Sequence, residues 1–330
     1  MFGYDVTVLS AGWKHSKHQD IFKGFRIQRF GNSFALHLYI PVFILKNKPD
    51  IIVNDLGHAI PWPSSPFLGN KGIVFFRHLH ARSLPGQVNK LLALLITTVE
   101  RIYFILYHKY VFITESTTSV SDLQGIGIER TKIIKIPPGV DLTLYRESEK
   151  TKEPSLVYFG GMRKYKRPGD VIRIFKKIHG AMPKVTLTMI GSGPEIPHVK
   201  KIVESTGLNI NIAFTGRIPD EQLSTIVSRS WVNLHTSQTE GWGLSILEAS
   251  ASGIPTVAYS VPGVVDVIED EINGFKVKDG DIDAFVDAVL RILKNPQPLW
   301  ESSRKVAEKY SWDDTAQKWD EVIREVVREQ

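Results

Sequence analysis

The chain has 330 residues, of which 42% are hydrophobic and 23% are charged, an ordinary composition for a globular protein of about two domains. It contains no cysteine, which excludes disulfides, thiolate metal sites and a cysteine nucleophile, and which fits a reducing compartment. The formal net charge of +6 favours anionic partners, whether phosphate-bearing ligands, phospholipid head groups or nucleic acid.

The first half of the chain alternates short apolar runs with segments of helical periodicity. Alternating strands and helices indicate a parallel α/β sheet with crossover connections. Helices are predicted at residues 34–46, 84–106 and 116–125. Strands are predicted at residues 4–10, 25–30, 49–54, 72–77, 110–114 and 133–136.

One stretch of this half, residues 91–113, has the apolar character of a membrane segment. Glu100, Arg101, His108 and Lys109 interrupt it and make it too polar to span a bilayer comfortably. It is therefore predicted to be either a buried helix or a helix that lies on a membrane surface.

No signal peptide is visible, because the chain leads directly into a strand-like segment. A cytoplasmic location is therefore expected. If residues 91–113 form a helix on a membrane surface, the expected location is the cytoplasmic face of the membrane.

The second half repeats the alternation more regularly, after a proline- and glycine-containing break at residues 137–141 and a polar run at 146–154. Strands are predicted at residues 155–159, 186–190, 210–214, 231–234, 256–259 and 274–277. Helices are predicted at residues 168–179, 194–205, 220–228, 244–252, 264–268 and 282–293.

These elements predict two doubly wound α/β domains, residues 1–137 and 138–310, which face each other across a cleft where such folds bind ligands. The last segment, residues 311–330, is predicted to be a helix. Its apolar face is assigned to Trp312, Ala316, Trp319 and Ile323, and we expect it to pack back toward the first domain.

The stretch from Leu234 to Val257 combines a strand end, a glycine-containing loop, a helix and the next strand. Two carboxylates, Glu240 and Glu248, bracket the start of the helix, and they would lie about 12 Å apart along a continuous helix. They could bind opposite ends of an elongated ligand whose phosphate sits at the helix N-terminus between them. The competing interpretation is that Glu240 caps the helix and Glu248 lies on its solvated face.

A second ligand-binding pattern follows the predicted strand 155–159. Gly160 and Gly161 allow close backbone approach, and four of the next six residues are cations, followed by Pro168 at a helix start. At the carboxyl end of a parallel strand this pattern is typical of phosphate binding, although a solvated basic loop or a nucleic-acid patch would also fit. An RNA-binding surface would interleave exposed aromatic residues, and only Tyr165 qualifies.

Glu240 and Glu248, within EGWGLSILEASASGIP, resemble the E-x7-E signature of family 4 retaining glycosyltransferases. The 160–168 loop is similar to the Gly-Arg-Leu…Lys-Gly loop of that family: Lys166 matches its lysine, whereas Gly161 stands where the family has arginine. Arg163 would have to supply that charge. Four further turns match in order and spacing: Pro138-Gly139-Val140-Asp141, Gly191-Ser192-Gly193-Pro194, Phe214-Thr215-Gly216-Arg217 and Asn273-Gly274.

The resemblance implies a GT-B fold and transfer of a sugar from a nucleoside-diphosphate sugar to an acceptor hydroxyl with retention of configuration. Glu240, Lys166 and His78 are the catalytic candidates, with His80 as the substitute for His78. By the same resemblance, Glu248 would bind the ribose hydroxyls of the donor. The other candidate donor-binding residues are Arg163, Gly161, Gly241, Trp242, Gly243, Leu244, Ser245, Gly191 and Arg217.

The resemblance also implies that no cofactor or metal is required. Asp279-Gly280-Asp281 precedes a predicted helix, where capping explains it better than metal binding. The expected partners are the nucleotide-sugar donor and a glycan, small-molecule or lipid-linked acceptor, with peripheral membrane contact and no nucleic acid. Family members open with a strand, a glycine-rich loop and a helix, and this βα unit is missing from the sequence. The sequence is therefore interpreted as a fragment, as a late start or as a chain that has lost the unit.

Three other functions stay open on the sequence alone. The first is a sugar-nucleotide-binding module without catalysis, and the second is a nucleotide-sugar epimerase on the same fold. The third is a basic nucleic-acid binder, whose RNA affinity would depend on salt and not on Lys166.

Overall fold

The computed structural model describes residues 2–57, 61–64, 72–79 and 89–328, and these residues form three β-sheets. The strands of the first sheet are β1 (Thr7–Ala11), β2 (Gln19–Phe22) and β3 (Phe25–Phe30). They lie in the order β1-β3-β2, with β1 and β3 parallel and β2 antiparallel to β3. Strand β2 was not predicted, because all four of its residues are exposed and give no alternating pattern.

A parallel four-stranded sheet follows, with the order β4-β5-β6-β7. Its strands are β4 (Ile52–Asp55), β5 (Gly72–Phe76), β6 (Val111–Thr114) and β7 (Ile133–Lys135). The helices of this half are α1 (Ser33–Asn47), α2 (Lys90–Arg101), α3 (Tyr103–Leu106) and α4 (Thr117–Gly125), with a 3₁₀ turn at Arg130–Lys132.

Two points of this half differ from the prediction. The first half was expected to form one sheet, but the described strands form two, and α1 packs against both through Leu36, Ile40 and Ile44. The single helix predicted at 84–106 is interrupted at Ile102, and its first residues, 84–88, lie outside the described residues, as does His80. The predicted cap of α4 is confirmed, because the Ser116 hydroxyl accepts the Ser119 N–H.

The second half contains a parallel six-stranded sheet with the order β10-β9-β8-β11-β12-β13. This order reverses direction between β8 and β11, and in such sheets ligands bind at the carboxyl ends of the strands beside this switch point. Its strands are β8 (Ser155–Phe159), β9 (Thr186–Ile190), β10 (Ile212–Gly216), β11 (Val232–His235), β12 (Thr256–Tyr259) and β13 (Gly274–Val277).

Helices cover both faces of this sheet, so its strands are apolar on both sides and gave the clearest sequence signal. A 3₁₀ turn at Lys164–Lys166 precedes the first helix. The helices are α5 (Pro168–Ala181), α6 (Ile196–Thr206), α7 (Asp220–Arg229), α8 (Leu244–Ala251), α9 (Ile282–Lys294), α10 (Gln297–Ala307) and α11 (Trp312–Arg328).

The helices of this half differ from the prediction at three points. The helix predicted at 264–268 is a series of turns, and α10 was missed because prolines obscure its periodicity. Helix α11 buries Val322 and Val326, whereas Trp312 and Ala316 of the predicted face are exposed.

Helix α11 lies against the four-stranded sheet of the first half. Val322 and Val326 pack with Ile73, Ile113 and Ile136, and Trp319 meets Phe75 edge-on at 5.4 Å between ring centroids. The last helix of the chain therefore completes the core of the first half. The domain divisions at 137/138 and 310/311 stay predictions.

Candidate active site

A cavity of about 570 Å³ lies between the two halves, at the carboxyl ends of the parallel strands. The first half contributes three residues that follow β5 and β6. The second half contributes the glycine turns after β8 and β9, the loop after β11 and the start of α8. The polar and charged side chains of the lining are Arg77, His78, Glu115, Lys166, Ser192, Arg217, Asp220, Glu240, Ser245 and Glu248.

Glycines form the part of the cavity wall that follows β8 and β9. Gly160 and Gly191 have φ angles of +145° and +133°, a region that side chains rarely adopt. A Cβ on Gly191 would lie 1.9 Å from the carbonyl oxygen of Gly160, so the two turns are in direct backbone contact. A Cβ on Gly161 would meet nothing within 4 Å, because this glycine faces open space.

Glu240 lies in the loop before α8 and forms a part-buried ion pair. The Lys166 ammonium donates a hydrogen bond to its Oε1, and His235 Nε2 lies 3.1 Å from the same oxygen. Burial alone would raise the pKa of Glu240, but Lys166 and His235 outweigh it and hold the pKa well below its ordinary value. Glu240 is therefore an ionised carboxylate at physiological pH.

Glu248 occupies α8 and faces the same cavity from a different environment. Burial raises its pKa to about 7, the Tyr145 hydroxyl opposes this with a hydrogen bond, and the charge of Asp220 adds to it. Glu248 therefore exchanges a proton near neutral pH. Glu240 does not cap the helix, because Gly243 occupies the N-cap position. Glu248 does not lie on a solvated helix face, because it is part-buried in the cavity wall.

The N-terminus of α8 lies between these two carboxylates and has no side-chain cap. Gly243 occupies the N-cap position with a φ of +84°, and Gly243, Leu244 and Ser245 line the cavity. Unpaired N–H groups at a helix start carry partial positive charge and suit a phosphate. The buried Trp242 supports this turn by packing edge-on against Tyr310, with 5.3 Å between ring centroids.

The cavity brings together twelve of the thirteen residues that the sequence proposed: His78, Gly161, Lys166, Gly191, Arg217, Glu240, Gly241, Trp242, Gly243, Leu244, Ser245 and Glu248. Arg163 is the exception, because it is exposed and is not part of the lining. Arg167 does not replace it, since its guanidinium pairs with Asp279. Of the four cations at residues 163–167, Lys166 is the one whose residue lines the described cavity.

Sequence reasoning missed Glu115 and Asp220 of the cavity lining, and His235, which contacts Glu240. Glu115 directly follows β6, and His235 is the last residue of β11. A polar residue at the carboxyl end of a parallel strand is the signal that could have identified both. His235 also contacts the Ser245 hydroxyl through Nδ1, at 3.2 Å, and so connects Glu240 to α8.

The predicted capping role of the 279–281 segment is confirmed, because the Asp281 carboxylate accepts the Ala284 N–H at 3.0 Å. Within residues 2–57, 61–64, 72–79 and 89–328, no group of three or more His, Asp or Glu side chains is placed to hold a metal ion. No helix of this described part is both long and apolar enough to cross a membrane.

Two family models match the chain. Residues 143–311 match the model described as Glycosyl transferases group 1, and residues 2–144 match Glycosyltransferase Family 4. Among curated proteins, a poly(glycerol-phosphate) alpha-glucosyltransferase of Bacillus subtilis (strain 168) is 27% identical over 227 residues, 66% of this chain and 32% of that protein. The chain spans about a third to a half of the length of the curated relatives it matches.

Solved structures share the fold at low identity. Sucrose-phosphate synthase from Thermosynechococcus elongatus superposes with a TM-score of 0.81 at 19% identity, covering 99% of this chain and 90% of that chain. HepE from Anabaena, in complex with UDP-glucose, gives a TM-score of 0.75 at 17% identity, covering 91% of this chain and 86% of that chain.

Proposed function

Because the chain belongs to the group 1 glycosyl transferases and has the GT-B fold, we propose that it transfers a sugar from a nucleoside-diphosphate sugar to an acceptor hydroxyl. The observation that carries this proposal is the convergence of the Glu240–Lys166 pair, Glu248 and the uncapped start of α8 on one cavity. HepE, a protein of the same fold, was crystallised with UDP-glucose.

In the proposed complex the donor spans the second half of the cavity. Glu248 accepts hydrogen bonds from the ribose hydroxyls, and the start of α8 together with Lys166 holds the diphosphate. The ionised Glu240 lies beside the sugar ring and stabilises the positive charge that develops at the anomeric carbon. The turn at Gly161, where a side chain would meet nothing within 4 Å, leaves room for the close backbone approach that a diphosphate needs.

We propose that transfer retains the configuration of the anomeric carbon. The bond from that carbon to the phosphate oxygen breaks, the acceptor oxygen bonds to the carbon from the same face, and the acceptor proton passes to the departing phosphate oxygen. Lys166 and the N-terminus of α8 stabilise the charge on that leaving group, so transfer without a metal ion is part of the proposal.

The test begins with a thermal-shift screen of nucleoside diphosphates and their sugars, since a ligand that binds the folded state raises the melting temperature. Transfer is then measured with the selected donor, with and without EDTA. We expect Glu240→Ala and Lys166→Ala each to lower turnover roughly 10²-fold or more. Lys176→Ala, an exposed lysine on α5, is the matched control and should keep its rate.

Wild-type rates in both site variants would remove the assignment of Glu240 and Lys166, and loss of activity in EDTA would contradict metal-independent transfer. Donor binding without turnover would favour a non-catalytic module. Conversion of the donor without an acceptor would favour an epimerase.

We further propose that the acceptor is lipid-linked or lies close to a membrane. Helix α2 exposes apolar side chains to solvent, because Leu91, Leu94 and Leu95 are 60% to 78% exposed. Ile102, where the helix ends, and Ile105, in the short helix α3 that follows, are 40% and 58% exposed. The side that packs on the first-half core includes Val99. An exposed apolar helix face of this size is typical of an interaction surface.

The charge of the chain is divided unevenly and supports the same proposal. Residues 1–114 contain thirteen Lys and Arg residues against five Asp and Glu residues, a balance of +8, although the whole chain carries +6. A cationic domain with an exposed apolar helix matches an anionic lipid surface, because the lipid charge attracts the cations while the leucines enter the interface.

Vesicle flotation tests this contact. We expect the protein to float with vesicles that contain phosphatidylglycerol, less so at high salt and much less as the Leu91→Ser/Leu95→Ser double variant. Ile210→Ser is the matched control, because Ile210 is 94% exposed on the second half, away from α2. Equal flotation of wild type and the double variant would contradict the proposal.

A further inference from the structure

Charged side chains follow three neighbouring strands of the first-half sheet where those strands end. Asp55 is the last residue of β4, Arg77 follows β5 and Glu115 follows β6. Parallel strands end at the same edge, so the three side chains lie close together, and two of them, Arg77 and Glu115, line the cavity. The function proposed above uses none of them.

Arg77 is fixed in place by its neighbours. Its Nε and Nη2 donate to the two carboxylate oxygens of Asp55 at 3.2 and 3.0 Å, and its guanidinium stacks over Phe75 at 4.8 Å. A bidentate, stacked arginine has little freedom to reorient. Because Asp55 already satisfies this cation, the three residues together carry an excess of one negative charge, located on Glu115.

Glu115 is a buried carboxylate that faces the cavity. It is 9% exposed and belongs to the cavity lining, and no hydrogen bond or ion pair to its carboxylate is found within the described residues. Burial raises the pKa of Glu115, and the attraction of Arg77 only partly offsets this. The carboxylate has no hydrogen-bond donor among the described residues, so a ligand at the cavity wall can supply donors in place of water.

Glu115 reaches across the cleft toward the donor side. A Cβ placed on Gly241 would lie 3.2 Å from Glu115 Oε2 and 3.4 Å from the Arg77 carbonyl oxygen. Gly241 adjoins Glu240, the residue assigned to the donor sugar. Glu115 is thus the carboxylate that the first half contributes to the cavity lining, and it faces the loop that carries Glu240.

We propose that Glu115, with Arg77 beside it, forms an acceptor subsite for a neutral sugar or polyol, in which the Glu115 carboxylate accepts hydrogen bonds from acceptor hydroxyls. Hydroxyl groups supply the donors that the carboxylate lacks, whereas an anionic group at this point would meet uncompensated negative charge. The inference rests on the proposed function, because it needs a donor in the second half of the cavity. Glu115 acts here as a positioning residue.

The experiment uses methyl α-D-glucopyranoside as the probe and saturation-transfer NMR as the readout. The protein is first saturated with the nucleoside diphosphate selected in the thermal-shift screen, so that the donor side is filled. We expect saturation of the probe in wild type, a loss of roughly 10-fold or more in probe affinity in Glu115→Ala, and partial retention in Glu115→Gln, whose amide oxygen still accepts a hydrogen bond. Glu129→Gln, an exposed glutamate of the same half, is the matched control.

Nucleotide affinity and melting temperature are measured in parallel. Unchanged nucleotide affinity in Glu115→Gln with weakened probe binding supports the acceptor subsite. Probe binding equal to wild type in Glu115→Ala, or equal losses of nucleotide and probe, would overturn it. Absence of nucleotide binding in wild type would refute the proposed function and the subsite together, whereas normal nucleotide binding with undiminished probe binding in Glu115→Ala would refute the subsite alone.

Discussion

Glu240 and Glu248 show how the surroundings of two identical side chains give them opposite chemistry. Both lose water contact, which favours the protonated form. Glu240 gains the Lys166 ammonium and the His235 ring, so it is ionised. Glu248 has the Tyr145 hydroxyl instead and lies near the negative charge of Asp220, so its pKa is raised to about 7.

The raised pKa of Glu248 predicts a pH-dependent stability. Between its ordinary value of 4.5 and about 7 the folded protein binds this proton more tightly than the unfolded chain, so the free energy of unfolding falls as the pH rises through that range. Glutamine cannot ionise, so Glu248→Gln should remove this dependence. At pH 8 we expect the variant without ligand to be more stable than wild type by on the order of 2 kcal/mol.

Urea unfolding at pH 5 and pH 8 measures this difference. Glu204→Gln, an exposed glutamate on α6, should behave as wild type at both values. A destabilised Glu248→Gln at pH 8 would contradict the assigned proton affinity of Glu248.

At the scale of elements, the observed strands of the second-half sheet agree closely with the predicted ranges, whereas those of the first half do not. Strands β8, β9, β12 and β13 agree with their predicted ranges because they are apolar on both faces. Strand β2 has no buried residue, and its hairpin is set instead by positive φ angles at Lys23 and Gly24. Short-range patterns report burial, so an exposed strand gives no comparable signal.

The segment that joins the two halves is held by a close contact with α11. Val140 N–H donates to the Tyr310 carbonyl at 3.1 Å, and the Thr315 hydroxyl donates to the Pro137 carbonyl at 2.9 Å. A Cβ on Gly139 would lie 2.2 Å from the Trp312 nitrogen and 2.4 Å from the Ser311 carbonyl carbon. Glycine is therefore required here for backbone approach.

Gly139→Ala should destabilise the protein by about 2 kcal/mol or more, because backbone atoms must separate to admit the methyl group. Gly180→Ala in α5 is the matched control. Its Cβ would meet nothing within 4 Å, and alanine should stabilise the helix by roughly 0.5–1 kcal/mol. Denaturant unfolding measures the free energy of unfolding of both variants. Equal stabilities of the two variants would refute the contact between the joining segment and α11.

At the scale of the whole molecule, the chain crosses between its halves twice. It enters the second half after the joining segment at residues 137–141, and α11 returns to cover the sheet of the first half. The cavity then draws its lining from both halves. Folding of the first half is thereby coupled to the last residues of the chain.

Val322→Ala should lower the free energy of unfolding by about 2 kcal/mol, because it removes two buried carbons from the contact between α11 and the first-half sheet. Val327→Ala, on the same helix but 41% exposed, should cost much less. Calorimetry of the two variants provides the comparison. A Val322→Ala protein as stable as wild type would show that α11 does not hold the first half.

The sequence by itself determined the α/β class, the GT-B fold, the family and most of the residues that line the cavity. The α/β class follows from local patterns of burial, whereas the fold, the family and the donor-binding residues follow from the resemblance of the 234–257 stretch and its neighbouring turns to family 4 glycosyltransferases. The outward apolar face of α2 is also a local pattern, but only its position in the fold shows that it is uncovered.

Only the tertiary structure decided which charges meet. Lys166 pairs with Glu240, which lies 74 residues further along the chain, and this pairing sets the protonation of Glu240. The structure also left Arg163 outside the cavity and placed Glu115 inside it. Electrostatic interactions depend on distance and burial in three dimensions, and neither can be read from the spacing of residues along the sequence.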